Sequence, residues 1–413
     1  MSISSSLSVS STRRHDIDAL RAIAFSFLIL YHLAMLYVHD WGWHLKSSYT
    51  SEALQWPMLF INRWRMDLIF LISGVATAFL MRGLGTGEFV KRRLWRILLP
   101  LVFGMAVVVP IQPYCQGVVN GLVEPGFLQF LANYYTGHKW PPRAFDGWEH
   151  GVTWNHLWYL AYLLFYTLVI AAIRPLLASR EGERLRTLFT GLRGWRLLIY
   201  PVVPLVFFTL ALQWKFPSTH DLMHDWYYHT IYFTMFLYGW WLASSDPVWT
   251  QLARLRKVSL AAALAVFAFY MAFAKTQGDD PSFAWACTIW ISRNVYIWLA
   301  ISAILGWGHA LLNRPMRWLP FATEAVYPWY ILHQSLIVLL AYWIVPLKVG
   351  AIVEPVLMLA GTVGGCWLLH VGVIRHVAWL RPCFGLKPKS ERRQPATGVS
   401  NPAASTTLRS AAD

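Results

Sequence analysis

Apolar blocks close to 20 residues long recur along nearly the whole chain, and they constrain its fold more than any other feature. A hydrocarbon core about 30 Å thick is crossed by roughly 20 helical residues. Inside lipid every backbone N–H and C=O has to be bonded within the segment, so such blocks fold as helices. Composition agrees, with 57% of the 413 residues apolar and 13% charged, against about 25% charged in an ordinary soluble domain. The 24 Trp and 19 Tyr suit the aromatic belts that anchor helices at both interfaces. The fold expected is an all-α, polytopic transmembrane helical bundle.

Ten spans are expected, at about 17–39, 57–81, 94–113, 156–173, 197–214, 228–244, 258–274, 286–307, 322–345 and 351–373. With a cytoplasmic N-terminus, 25 of the 35 Lys and Arg fall on the cytoplasmic side and eight opposite, while Arg21 and Arg293 lie inside spans. That bias follows the positive-inside rule, and an even number of spans returns the C-terminus to the cytoplasm. The net charge of +15 is therefore an orientation signal, and no nucleic-acid partner is expected. Residues 1–16 form a short cytoplasmic N-terminus, 17–373 the transmembrane domain, and 374–413 a cytoplasmic tail, largely disordered after 385 where Ser, Thr, Ala and Pro dominate. Arg13-Arg14 before a long apolar segment with no A-x-A site after it reads as a retained signal anchor. Cys115, Cys287, Cys366 and Cys383 show no paired spacing, so no metal site is expected and a Cys115–Cys287 disulfide is not favoured. The longest extracytoplasmic segment, 114–155, holds Trp140-Pro141-Pro142-Arg143, Trp148 and Trp154. It reads as an interfacial cap or as part of an acceptor site, since flat aromatic faces suit sugar rings.

The first span carries polar groups that lipid does not tolerate for packing alone. Arg21 and His32 are 11 residues apart, three helical turns plus roughly 20°, so they share a face about 16 Å apart along the axis. Asp18 lies three residues before Arg21 and can pair with it. Charged groups in spans normally face a cavity or the bundle interior. The second span opens with Arg63 and Arg65 and continues to Ser73-Gly74, a pair that permits close helix approach. After it comes a basic run, Lys91, Arg92, Arg93 and Arg96. Arginine forks match phosphate oxygens, so this run can hold a phosphorylated donor as well as set topology.

Five short motifs in order bring a family into view. Asp18-Ala-Leu-Arg21-Ala-Ile-Ala with His32, Phe70-Leu-Ile-Ser73-Gly74, Arg93-x-x-Arg96-Ile-x-x-Pro100, His156-Leu-Trp158-Tyr-Leu and Tyr330-Ile-Leu-His333-Gln334 together resemble the acyltransferase 3 family of membrane acyltransferases. His39-Asp-Trp-Gly-Trp-His44 and Trp64-Arg65-Met66-Asp67 look most like the branch thought to succinylate periplasmic glucans. One departure matters: many members carry an acidic residue shortly after His-Leu-Trp, where this chain has Ala161, Tyr162 and Leu163.

The resemblance implies transfer of an acetyl or succinyl group from cytoplasmic acyl-CoA, the donor substrate, to a hydroxyl of an extracytoplasmic glucan or other carbohydrate, in a bacterial inner membrane. Other envelope-glycan biosynthesis proteins are conceivable partners. Arg93 and Arg96, with Arg92 and Lys91, are expected to hold the CoA phosphates. Arg21 and Asp18 would serve the reacting thioester, and His32 would act as general base or transient acyl carrier. Arg63, Arg65, Ser73, His156, Trp158, Arg293, Tyr330 and His333 are expected to contact substrate. Two other classes remain open on sequence: a secondary transporter using Asp18, Arg21 and His32 as a relay, and a non-catalytic scaffold.

Overall fold

A computed structural model describes residues 14–278 and 282–388. Among the described residues nine helices are long and apolar enough to cross a membrane. They are α1 (His15–Ala34), α2 (Gln55–Met81), α3 (Thr86–Val119), α4 (Asn155–Ala172), α5 (Trp195–Leu212), α7 (Asp246–Ala274), α8 (Phe283–Leu312), α9 (Leu319–Leu347) and α10 (Val353–Ile374). The remaining expected span, 228–244, forms the apolar helix α6 (Trp226–Leu242), which at 17 residues is shorter than the rest. The third span is longer than its hydropathy suggested, because the basic run from Thr86 and the polar stretch to Val119 continue the same helix.

The helices divide by burial into a core and a periphery. In α2, 83% of the most apolar stretch is buried, whereas in α7 it is 17%. Side chains such as Val203, Phe207, Val258, Leu264, Val356 and Leu368 on the outer helices stay exposed, as a lipid-facing surface requires. Helix α1 sits among α2, α8, α9 and α10, while α2 packs on α6 and α7 on α8.

The α2–α6 crossing is closer than any side chain permits. A Cβ on Gly74 would lie 1.9 Å from the Phe236 carbonyl oxygen, and one on Gly239 would lie 1.8 Å from that of Leu71. Small residues let backbones meet in this way, and the Ser73-Gly74 step does so against α6.

Helix α3 is not regular. It widens into π turns at Leu94–Leu98 and Gly104–Val108. Such turns leave carbonyls without their usual amides, and side chains of other elements supply the protons. Tyr327 Oη donates to Arg96 O at 3.0 Å, Ser335 Oγ to Val108 O at 2.8 Å, and Tyr135 Oη to Ala106 O.

The segment 114–155 is ordered. Phe127–Tyr135 is helical, and Phe130, Tyr134, Trp140, Ala144 and Phe145 form a small core of their own. The four cysteines are free thiols, so no Cys115–Cys287 bond forms. In the tail, Leu380–Cys383 is a helical turn, and Phe384 and Leu386 are buried against the bundle. Residues 389–413 and 1–13 lie outside the described residues.

Candidate active site

Two cavities open at opposite ends of α1, and the polar residues of the sequence sort between them. Arg21, at the N-terminal end of α1, lines one of about 740 Å³ together with Arg93 and Arg96 from α3. His32, near the C-terminal end, lines the other, of about 880 Å³. Helix α1 thus has one face with two addresses, because 11 residues advance the chain roughly 16 Å while nearly preserving direction.

The arginine cavity is strongly cationic. Besides Arg21, Arg93 and Arg96 it is lined by Arg381 and Lys387, which come from the C-terminal segment. Asp18 Oδ1 lies 3.4 Å from Arg21 Nη2, the expected i,i+3 pair. Arg93 donates to Thr77 Oγ1. Lys91 and Arg92 are exposed and do not line the cavity. Arg92 is turned away, its Nε 2.7 Å from Glu88 one helical turn back. Ser73 belongs to this cavity, with Oγ 2.6 Å from Tyr159 Oη.

The histidine cavity is built by α1, α2, α3, α4, α6, α8 and α9 and by three loop segments, after α1, before α4 and before α6. Arg63, Arg65 and Asp67 enter from α2, Trp158 from α4, Arg293 from α8, and Trp154 and Glu149 from the 114–155 segment. Arg65 is 7% exposed; it lies 3.5 Å over the Tyr31 ring, and its Nε and Nη1 make no hydrogen bond. Arg293 is engaged, donating to Tyr227 Oη at 2.6 Å and to Gln213. Arg63 sits over the Tyr270 ring. Asp221, from the loop before α6, also lines the cavity. The Met223 amide, 2.9 Å away, and then the His224 imidazole hold its carboxyl below the usual carboxylate range. It therefore offers an ionised acceptor to hydroxyl groups at neutral pH.

Between the cavities stands a partition of rings. Phe25, Tyr159 and Tyr330 meet edge to face, with centroids 5.3–6.1 Å apart. Among the described residues no side chain lines both cavities. Tyr330 lines the arginine cavity and donates to the His156 carbonyl at 2.6 Å. His156 lines the histidine cavity, but both of its ring nitrogens are committed inward, Nε2 to Ile331 O at 3.1 Å and Nδ1 to Gln112 Nε2 at 3.2 Å. His333 does not line either cavity; fully buried, it places Nε2 2.8 Å from His32 Nδ1. These two expected substrate contacts are therefore parts of the frame behind His32.

Sequence reasoning missed several groups. Gln334 Nε2 contacts His44 Nε2 at 2.9 Å and Gln112 Oε1 at 3.1 Å, and Gln112 donates to Ser335 at 2.7 Å. His44 Nδ1 lies 2.7 Å from Gln116 Oε1. This buried amide–imidazole chain ties α3 and α9 to the loop after α1. A Gln or Asn in a span was the available signal, since buried amides have to be bonded. Tyr162, four residues after Trp158, donates through Oη to the buried Asp225 carboxylate at the start of α6, 2.8 Å away.

Comparison with known proteins agrees with this architecture. A family model described as an acyltransferase domain matches residues 14–371. The glucans biosynthesis protein C of Escherichia coli (strain K12) is 22% identical over 347 residues, covering 82% of this chain and 86% of the relative. The protein of that name from Escherichia coli O139:H28 gives the same identity and coverage. No solved structure matches. With Arg21, His32, Arg93 and Arg96 all inside the matched region, the chain belongs to the acyltransferase 3 family of membrane acyltransferases.

Proposed function

We propose that the protein moves an acyl group from acyl-CoA on the cytoplasmic side to a hydroxyl of an extracytoplasmic glucan or related carbohydrate, across an inner membrane. The observation that carries this reading is the pair of cavities at the two ends of α1, one rich in arginine and the other holding His32. Arg93, Arg96 and Arg21 suit the phosphates and carbonyl of the donor, through charge-assisted bonds. Phe25, Tyr159 and Tyr330 form the gate that the acyl thioester passes. Asp221, Glu149, Trp154 and Trp158 suit a sugar, which presents hydroxyls at its edge and an apolar face to aromatic rings.

In the transfer itself, His32 removes the hydroxyl proton as the oxygen attacks the thioester carbonyl. The tetrahedral intermediate expels the CoA sulfur, and the imidazolium returns the proton to it. The buried, incompletely bonded Arg65 beside Tyr31 favours a succinyl over an acetyl group, because its guanidinium can pair with a free carboxylate next to the reacting carbon.

Inside-out vesicles given radiolabelled acetyl-CoA or succinyl-CoA and loaded with periplasmic glucan test this. Label appearing on luminal glycan with stoichiometric CoA release is the expected result. Flux without CoA release would identify a transporter instead. Arg65→Leu is expected to lower kcat/KM for succinyl-CoA about 100-fold while leaving acetyl-CoA nearly unaffected, the order of a lost charge-assisted pair of about 1.5–3 kcal/mol. Arg93→Ala with Arg96→Ala is expected to raise KM for either donor about tenfold or more, with kcat changed far less. An unaltered donor KM would remove these two arginines from the donor site.

A further inference from the structure

We propose that His333 is a positioning residue that selects the tautomer of His32 and so presents Nε2 as the proton acceptor. The kinetic part of this inference rests on the acyl-transfer reading above; the tautomer itself follows from the hydrogen-bond partners.

His333 Nδ1 faces two carbonyl oxygens of its own helix, Tyr330 O at 2.7 Å and Trp329 O at 3.1 Å. Carbonyls only accept, so this nitrogen carries hydrogen. A neutral imidazole has one N–H, and His333 Nε2 is therefore a lone-pair acceptor. Its partner, 2.8 Å away, is His32 Nδ1, which must donate. Among the described residues the other nitrogen of His32, Nε2, makes no hydrogen bond to the protein, and His32 lines the histidine cavity. Both rings are neutral because no carboxylate hydrogen-bonds either of them among the described residues, and a buried imidazolium without a counter-ion is costly.

The surrounding groups leave no competing arrangement. His156 approaches His333 edge-on, with ring centroids 5.1 Å apart, but donates through Nε2 to Ile331 O and accepts at Nδ1 from Gln112. Gln334 is occupied by His44 and Gln112. The His32–His333 pair is therefore a closed unit with one open lone pair. Orienting groups of this kind raise the basicity of a histidine and hold its ring in place. When Nε2 takes the hydroxyl proton, the Nδ1–H bond to His333 persists and shares the positive charge. With no acceptor at 333, the His32 ring is able to carry its hydrogen on Nε2, and the lone pair then points away from substrate.

Two substitutions separate this role from packing. In His333→Gln the side-chain carbonyl reaches the place of Nε2 and keeps an acceptor for His32. In His333→Asn the shorter amide keeps only the bond to the helix carbonyls. His333→Gln is expected to retain kcat within about tenfold, and His333→Asn to lose about 10²–10³-fold with donor KM unchanged, as a wrong tautomer costs elsewhere. Equal losses in both variants, an active Asn variant, or a change confined to KM would overturn the proposal.

Solid-state ¹⁵N NMR of histidine-labelled wild-type protein in lipid bilayers reads the tautomer directly. The expected pattern is His32 protonated at Nδ1 and bare at Nε2, and the reverse pattern would refute the assignment. This measurement needs neither turnover nor a folded variant, so a failed acyl-transfer assay leaves it intact.

Discussion

His32→Ala is expected to lower kcat by about 10³-fold, within the 10²–10⁴ range that a positioned base contributes, while the protein still folds and inserts. The ring lies at the cavity wall and makes one hydrogen bond to the protein, to His333. Its loss therefore costs stability only about 1 kcal/mol. The effect is to appear in kcat far more than in donor KM, since the site proposed for the donor phosphates is the other cavity. Because the deleted ring borders about 880 Å³ of open space, added imidazole is expected to restore part of the rate. The same assay separates base from acyl carrier. Radiolabel retained on denatured wild-type protein, quenched before acceptor is supplied, would mark an acyl-histidine; its absence with normal turnover supports the base. A His32→Ala protein that folds and acylates at the wild-type rate would sink the catalytic assignment.

The second large effect is on stability and arises where α2 meets α6. Gly74→Val and Gly239→Val each place carbon inside the partner helix's backbone, at 1.9 Å from Phe236 O and 1.8 Å from Leu71 O. A carbonyl in a helical ladder cannot rotate aside as a side chain would, so the helices have to separate. Overpacking normally costs 1–3 kcal/mol, and a backbone clash at two helix axes is expected at or above about 3 kcal/mol. Separation would also displace Arg65 and Asp67 on one side and Tyr232 on the other, all of which line the histidine cavity. Thermal melting in detergent, followed by size exclusion, is expected to show a strongly lowered Tm and loss of the monodisperse peak. Gly364→Ala on α10, with nothing within 4 Å of the added carbon, provides the control and should melt as wild type. A Gly74→Val protein as stable as that control would mean that the crossing tolerates separation.

How much of this was legible depended on whether the signal was local. Hydropathy located the nine helices long and apolar enough to cross a membrane, and the shorter α6, because crossing lipid requires a contiguous apolar run within each span. It misjudged α3, whose polar ends continue a helix that π turns widen and other elements' hydroxyls complete. Within the site, Arg21 and His32 were visible from spacing alone, while Arg381 and Lys387 were not, because a basic residue in a tail reads as orientation charge until its position is known.

By itself the sequence determined an all-helical membrane bundle, the shared face of Arg21 and His32, and the order of family motifs, since each depends on residues close together in the chain. The tertiary structure alone decided which polar groups face a cavity and which face each other. It gave Arg21 and His32 separate cavities, turned Arg92 outward, and set His333 behind His32 from a helix about 300 positions away. The physical reason is that hydrogen bonds and cavities belong to the packed arrangement of helices. Local periodicity fixes the direction a side chain leaves its own helix, and nothing about what it meets there.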